Sequence, residues 1–191
     1  MNTSTTILDL PENISIADKY RYWYDFMENE VSFNREDSPL HARPHCRRVL
    51  FLALKLSEKM GLTEREKDIL CLAAVFHDSR REDEGLDKGH GLRAAEYYGH
   101  YCTVNNLPFV PEVHLICAYH DHDDSEGIAD ITHLIENAEG CIRLYRVFKD
   151  ADALDRFRLG PNGLDVRFLR NAQALELVET AKEMLPRSEF R

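Results

Sequence analysis

The chain has 191 residues, 43% of them hydrophobic and 30% charged, with a formal net charge of -10 at pH 7. That length gives one well-buried core and is short for two, so a single domain over residues 1–191 is expected, with 1–14 loose. The acidic balance argues against a nucleic-acid polymer or an anionic membrane as partner, because either would demand a basic face, and it leaves a small molecule as the expected ligand.

Ser15 and Asp18 read as a capping box for a first helix. In it Ile16, Tyr20, Trp23, Tyr24, Met27 and Val31 recur at helical spacing and give an aromatic face that packs on the core. Residues 32–42 read as a loop, and Pro44 suits the first turn of a second helix running to about Met60. His45, Val49, Leu52 and Leu56 share one stripe of that helix, which turns His45 inward. Gly61 ends it, and Thr63 with Glu66 makes a capping box that opens the next. This third helix carries an unbroken apolar run from Ile69 to Phe76 and ends on His77-Asp78. An imidazole beside a carboxylate at the end of a buried helix is poor core material and good metal-ligand material.

The stretch SRREDEGLDKG after Asp78 is too charged for a core and reads as a solvated loop beside the site. Its basic members Arg80, Arg81 and Lys88 either hold a substrate phosphate, which guanidinium groups grip bidentately, or form a solvated surface. His90 opens a fourth helix with Ala94, Tyr97 and Tyr101 on its face, and next to the charged loop it is either exposed or part of the site.

Pro108 and Pro111 interrupt the pattern. The following helix puts Val113, Ile116, Cys117 and His120 on one face, so His120 points inward. His114 lies off that stripe and His122 falls in the polar loop HDHDDSEG, so both are expected to be solvated. From Ile131 a long helix is expected, with Leu134, Ala138, Cys141, Tyr145 and Phe148 on its buried face, and the same spacing arrives at Asp152. Glu139, Arg143, Arg146 and Asp150 take the opposite, charged face. Asp152 is then a carboxylate aimed at the core, costly unless a cation or donor meets it, and Asp155 is expected to pair with an Arg. The turn LGPNG leads to a last amphipathic helix with Val166, Leu169, Leu175, Leu177 and Val178, ended by Pro186.

No periodic strand pattern occurs, so the fold class expected is all-α. The five cysteines, Cys46, Cys71, Cys102, Cys117 and Cys141, lack paired spacing and fit a reducing cytoplasm. No stretch reaches the roughly 18 apolar residues of a membrane span, and the polar start MNTSTT is no signal peptide. A soluble, cytoplasmic, unprocessed protein is expected.

Four inward-facing groups, His45, His77, Asp78 and Asp152, come from three helices in the order H, HD, D. With the stretches HARPHCRRVLFLALKL, AAVFHDSRR, KGHGLRAAEYY, AYHDHDD and KDADALDR around them, over about residues 41–158, this order resembles the HD-domain superfamily of metal-dependent phosphohydrolases. The resemblance implies an orthogonal helical bundle and a metal held by His45, His77, Asp78 and Asp152. In binuclear members it implies further imidazoles at positions matching His90 and His120. The guanosine-tetraphosphate hydrolases of that family carry HDxxED, whereas Glu82-Asp83 come one residue later here (HDSRRED), so their activity is not implied.

Mixed imidazole and carboxylate ligands suit divalent manganese, iron, cobalt, nickel or zinc, as one ion or two, without choosing among them. Such a cation lowers the pKa of water toward neutrality for attack on phosphorus and neutralises phosphoryl charge. With six ligands available, two ions would share the set through Asp78. With one ion, His90 and His120 would contact substrate or protonate the leaving group, and Arg80 or Arg81 would bear phosphate charge. The expected activity is hydrolysis of a small phosphoester, a nucleotide foremost. Two alternatives stay open. One is a di-iron oxygenase, since the same set also resembles that of myo-inositol oxygenase; the other is a ligand-sensing module without turnover. Substrate and oligomeric state are not readable from the sequence.

Overall fold

In a computed structural model, which describes residues 6–36, 38 and 41–190, the chain is helical, with no strand among those residues. Its organising element is α2 (Arg43–Lys59), where Cys46 and every residue from Arg48 to Leu54 are buried, together with Leu56 and Ser57. A helix apolar almost all round must sit in the middle of a bundle, and α2 does: α1 (Ile14–Glu30), α3 (Glu64–Phe76) and α7 (Ala138–Leu154) all pack on it. A second layer pairs α4 (His90–Val104) with α5 (Pro111–Tyr119), while α6 (Asp124–Leu134) lies on α7. Short helices α8 (Ala172–Leu175) and α9 (Val178–Met184) follow. No helix among the described residues is long and apolar enough to cross a membrane.

Local chemistry sets several boundaries where the sequence places them. Gly61, in the left-handed region at φ 60°, closes α2. At the start of α3 the Thr63 hydroxyl accepts from the Glu66 N–H (3.4 Å), while the Glu66 carboxylate accepts from the Thr63 N–H (2.8 Å). The aromatic face of α1 is buried at Tyr20 and Trp23.

Several expectations fail. Helix α1 starts at Ile14 without a box from Ser15 and Asp18; the box belongs to Thr6 and Asp9, and Ile7 is buried, so the loose stretch does not extend to residue 14. The long helix from Ile131 is two helices, because Ile135 is extended and Asn137 caps α7 by accepting from the Gly140 N–H (3.2 Å). Leu134 is consequently exposed, and the run HDHDDSEG is helical from Asp124 on. The last amphipathic helix is divided among a turn at Val166–Phe168, α8 and α9.

Asp150, expected on the charged face of the helix, is instead fully buried. Its carboxylate accepts from the backbone N–H groups of Arg170 (2.9 Å) and Asn171 (2.8 Å), from the Asn171 amide (2.8 Å) and from the Arg170 guanidinium (3.3 Å). Segment 165–171 thereby docks on α7. Truncation would leave these donors without an acceptor, at about 1–3 kcal/mol for a buried group. Asp150→Ala is therefore expected to lower the unfolding free energy by about 2–4 kcal/mol in urea titration; a loss within the roughly 0.5 kcal/mol of an ordinary surface change would contradict this account.

Candidate metal centre

Helix ends deliver the polar side chains to one place. His77 caps α3 and Asp78 follows it; His120 caps α5; His90 is the first residue of α4. His45 lies in the first turn of α2, and Asp152 in the last turn of α7. Two glycines make this convergence possible. Gly89, left-handed at φ 84°, turns the chain into α4. At Gly91 a Cβ would meet the Cys117 and Ala118 carbonyl oxygens of α5 at 2.6 and 3.0 Å, so only glycine lets α4 approach closely enough for His90 to reach His120.

Each imidazole is held from behind. His77 Nδ1 bonds the Ala74 carbonyl (3.0 Å), His90 Nδ1 that of Asp87 (2.6 Å), and His120 Nδ1 that of Cys117 (2.7 Å). His45 Nδ1 bonds the Asp155 carboxylate (2.7 Å). Carbonyl and carboxylate oxygens only accept, so every Nδ1 carries the proton and every Nε2 turns inward. There the Nε2 atoms meet in pairs, His45 with His77 at 3.1 Å and His90 with His120 at 2.9 Å. Asp78 lies between the pairs. Its Oδ1 is 3.0 Å from His90 and 3.4 Å from His120, and its Oδ2 is 3.6 Å from His45, whose Nε2 also stands 3.2 Å from Asp152.

Two neutral imidazoles cannot present lone pairs to each other at these distances without a cation or an added proton between them. The donor set of nitrogen and carboxylate oxygen fits a divalent transition metal. Two buried groups have that capacity, His45 with His77 and Asp78, and Asp78 with His90 and His120, and Asp78 belongs to both.

The electrostatics follow from the burial. Desolvation pushes the His77 pKa down to about 3, so that ring stays neutral. Burial is the largest single influence on His120 and resists its charge, but the Asp78 hydrogen bond and the negative charges of Asp78, Asp152 and Asp121 together prevail and raise its pKa. For His45, burial and Arg158 oppose the charge, and bonds to Asp152 and Asp155 prevail, again raising it. Burial likewise works against ionised Asp78, yet the surrounding imidazoles, His77 foremost, hold its carboxyl well below the usual range.

Of the three candidate phosphate-holding cations, only Arg81 faces the site. It is buried, its Nη1 lies 3.2 Å from His90 Nε2 and 3.8 Å from Asp78, and its Nε has no acceptor among the described residues. Arg80 instead stacks on Tyr97, 3.3 Å from the ring centroid, and donates to Ser32. Lys88 is exposed and, like Arg80, lines no part of the cavity beside the centre. That cavity, of about 760 Å³, is bordered by His45, Asp78, His90, His120 and Asp152. His122, expected in solvent, lines it too, whereas His114 is half-buried and bonds the Ala95 carbonyl (3.2 Å).

Several residues at the centre were not singled out from the sequence. His41 Nδ1 lies 3.5 Å from Asp78, and Asp121 borders the cavity with a buried Oδ1 that has no donor among the described residues. Asp155, read only as a partner for an Arg, receives both the Arg48 Nε (2.5 Å) and His45.

Protons on His45 and His120 compete with any metal for the same Nε2 atoms. Because both pKa values are raised, metal affinity is expected to fall as pH drops below them, to rise with pH and to level above them. Calorimetry in two buffers of different ionisation heat should show about one proton released per displaced imidazolium near pH 6. Binding without proton release would show that the rings are already neutral in the metal-free protein.

The model of the HD domain family matches residues 44–156. No curated protein and no solved structure matched the chain. The matched span is more than half of the sequence and includes His45, His77, Asp78, His90, His120 and Asp152. On that extent of agreement, with an all-helical fold and buried His and Asp groups able to hold a metal, the chain belongs to the HD domain family.

Proposed function

We propose that the protein is a metal-dependent phosphohydrolase that cleaves a small phosphoester, a nucleotide foremost. The observation that carries this reading is Asp78, whose Oδ1 lies 3.0 Å from His90 and 3.4 Å from His120 and whose Oδ2 lies 3.6 Å from His45, beside an open cavity. His45, His77, Asp78 and Asp152 would hold one divalent ion, and Asp78, His90 and His120 a second. The metal supplies Lewis acidity toward a phosphoryl oxygen and lowers the pKa of water at neutral pH.

The chain's own groups do the rest. Asp78 and Asp152 stay ionised because histidines surround them, so they supply fixed negative charge to a cation site at any physiological pH. Arg81 brings a guanidinium to the centre, its Nη1 3.2 Å from His90 Nε2 and 3.8 Å from Asp78, suited to charge building on a phosphate oxygen. Arg158, 3.3 Å from His41, is a second guanidinium on the cavity wall. In the hydrolysis the ester P–O bond breaks, a P–O bond to water forms, and the leaving alcohol gains a proton.

The test is chelation followed by add-back of manganese, cobalt, nickel, iron or zinc one at a time, with phosphate release from a phosphoester panel as readout. Turnover is expected with at least one metal and should fall by about 10²–10⁴-fold in His77→Ala, the range for loss of one essential group. Metal content should drop in Asp152→Ala and be retained in Asp150→Ala. No release above the His77→Ala background favours the sensing module, and dioxygen uptake without phosphate release favours the oxygenase.

A further inference from the structure

The family match ends at residue 156, yet the cavity beside the metal centre continues beyond it, with Leu159, Asn162, Leu164 and Phe168 on its wall. Phe168 is 71% exposed, and Leu86, from the charged loop after Asp78, lines the same cavity at 86% exposure. Large apolar side chains set in water at the mouth of a cavity are poor fold chemistry and good ligand chemistry.

The exposure of Phe168 is built in. The Asp165 carboxylate caps its turn by accepting from the Arg167 N–H (3.0 Å). Two residues later, Arg170 and Asn171 are pinned by their backbone N–H groups to buried Asp150. The Arg170 guanidinium also grips Asp124 through two bonds, of 2.6 and 2.8 Å. Anchored on both sides, the backbone that carries the ring is held at the cavity, and an exposed aromatic face there can serve as a stacking platform.

Size and charge narrow what it takes. A cavity of about 760 Å³ is the volume of an organic ligand, and a phosphate alone would leave most of it unfilled. Most cations on this wall are engaged: Arg170 and Lys149 pair with Asp124 and Arg158 with Asp155, while exposed Arg156 donates to the Gly163 carbonyl (3.0 Å). The wall beyond residue 156 therefore favours a neutral, flat group over further phosphates. Asn162 adds an amide able both to donate and to accept at the edge of such a ring.

We propose that the phosphoester's leaving group carries a nucleobase that stacks on Phe168 between the apolar flanks Leu86 and Leu159, which makes Phe168 a specificity-determining residue. This rests on the hydrolase reading above. The phosphonate analogues of AMP and of ribose 5-phosphate, with a methylene in place of the ester oxygen, isolate the ring's share because neither can be hydrolysed. Calorimetry on the full, metal-loaded chain should give the AMP analogue an affinity advantage of about 5- to 150-fold, the range of one base stacked on an aromatic side chain. Phe168→Ala should bring that ratio toward one, Phe168→Trp should preserve it, and Leu86→Ala should reduce it. Phenylphosphonate binding as tightly as the AMP analogue would overturn the nucleobase in favour of any aryl ring. Equal affinity of the two analogues in the wild type would overturn the subsite outright. Phosphate release from AMP itself is scored separately: release without ring-dependent binding sinks the subsite and keeps the hydrolase, and ring-dependent binding without release does the reverse.

Discussion

Four imidazoles whose Nδ1 atoms are all tied to oxygen acceptors must turn four Nε2 atoms into one buried space, and the rest of the molecule answers that constraint. Three of the four ties are made the same way, to the carbonyl three residues earlier: His77 to Ala74, His90 to Asp87 and His120 to Cys117. For His77 and His120 this carbonyl belongs to the last turn of a helix, where it has no intrahelical partner and would otherwise need water. The ring satisfies the backbone while the backbone fixes the ring. His45 sits at the other end of a helix, in its first turn, and its orienting acceptor comes from a different element. Asp155 supplies it.

That difference explains a buried charge cluster that would otherwise be costly. Asp155 is 1% exposed and accepts from Arg48 Nε (2.5 Å) and Nη2 (3.1 Å) as well as from His45. Arg48 in turn donates to the Phe190 carbonyl (2.9 Å), tying the end of the described chain to α2. A buried ion pair is weak as a source of stability, but removing either member is severe, at about 3–5 kcal/mol. Its value here is orientation: a bidentate guanidinium fixes the carboxylate, and the carboxylate fixes the ring.

Much of this was legible along the chain because it is periodic or local. Helical spacing turned His45 and His120 inward, and both are buried. The Thr63–Glu66 box is a three-residue signal, and it forms. Groups whose surroundings arrive from far away were not legible. By spacing from Glu139, Arg143 and Arg146, Asp150 belongs to a solvated face; nothing within α7 announces that residues 170 and 171 return to cover it. Arg80 and Arg81 are adjacent and equally basic, yet Tyr97 and Ser32 take one and the metal centre takes the other. His41 and Asp121 lay beside motifs already read, and only the closing of the bundle brings them to the cavity.

The end of α7 shows why the centre and its cavity wall are not independent parts. Asp150 and Asp152 are two residues apart, so on a helix they point in widely different directions. One accepts the backbone of segment 165–171 and the other stands 3.2 Å from His45. A single rigid helix thus sets the distance between the groups able to hold a metal and the segment that carries Phe168. Rotation of α7 that moved Asp152 off His45 would also carry Asp150 away from the Arg170 and Asn171 amides. The Asp150 bonds dock segment 165–171 on the same helix whose last turn carries Asp152, so the cavity wall and the metal-facing carboxylate share one scaffold.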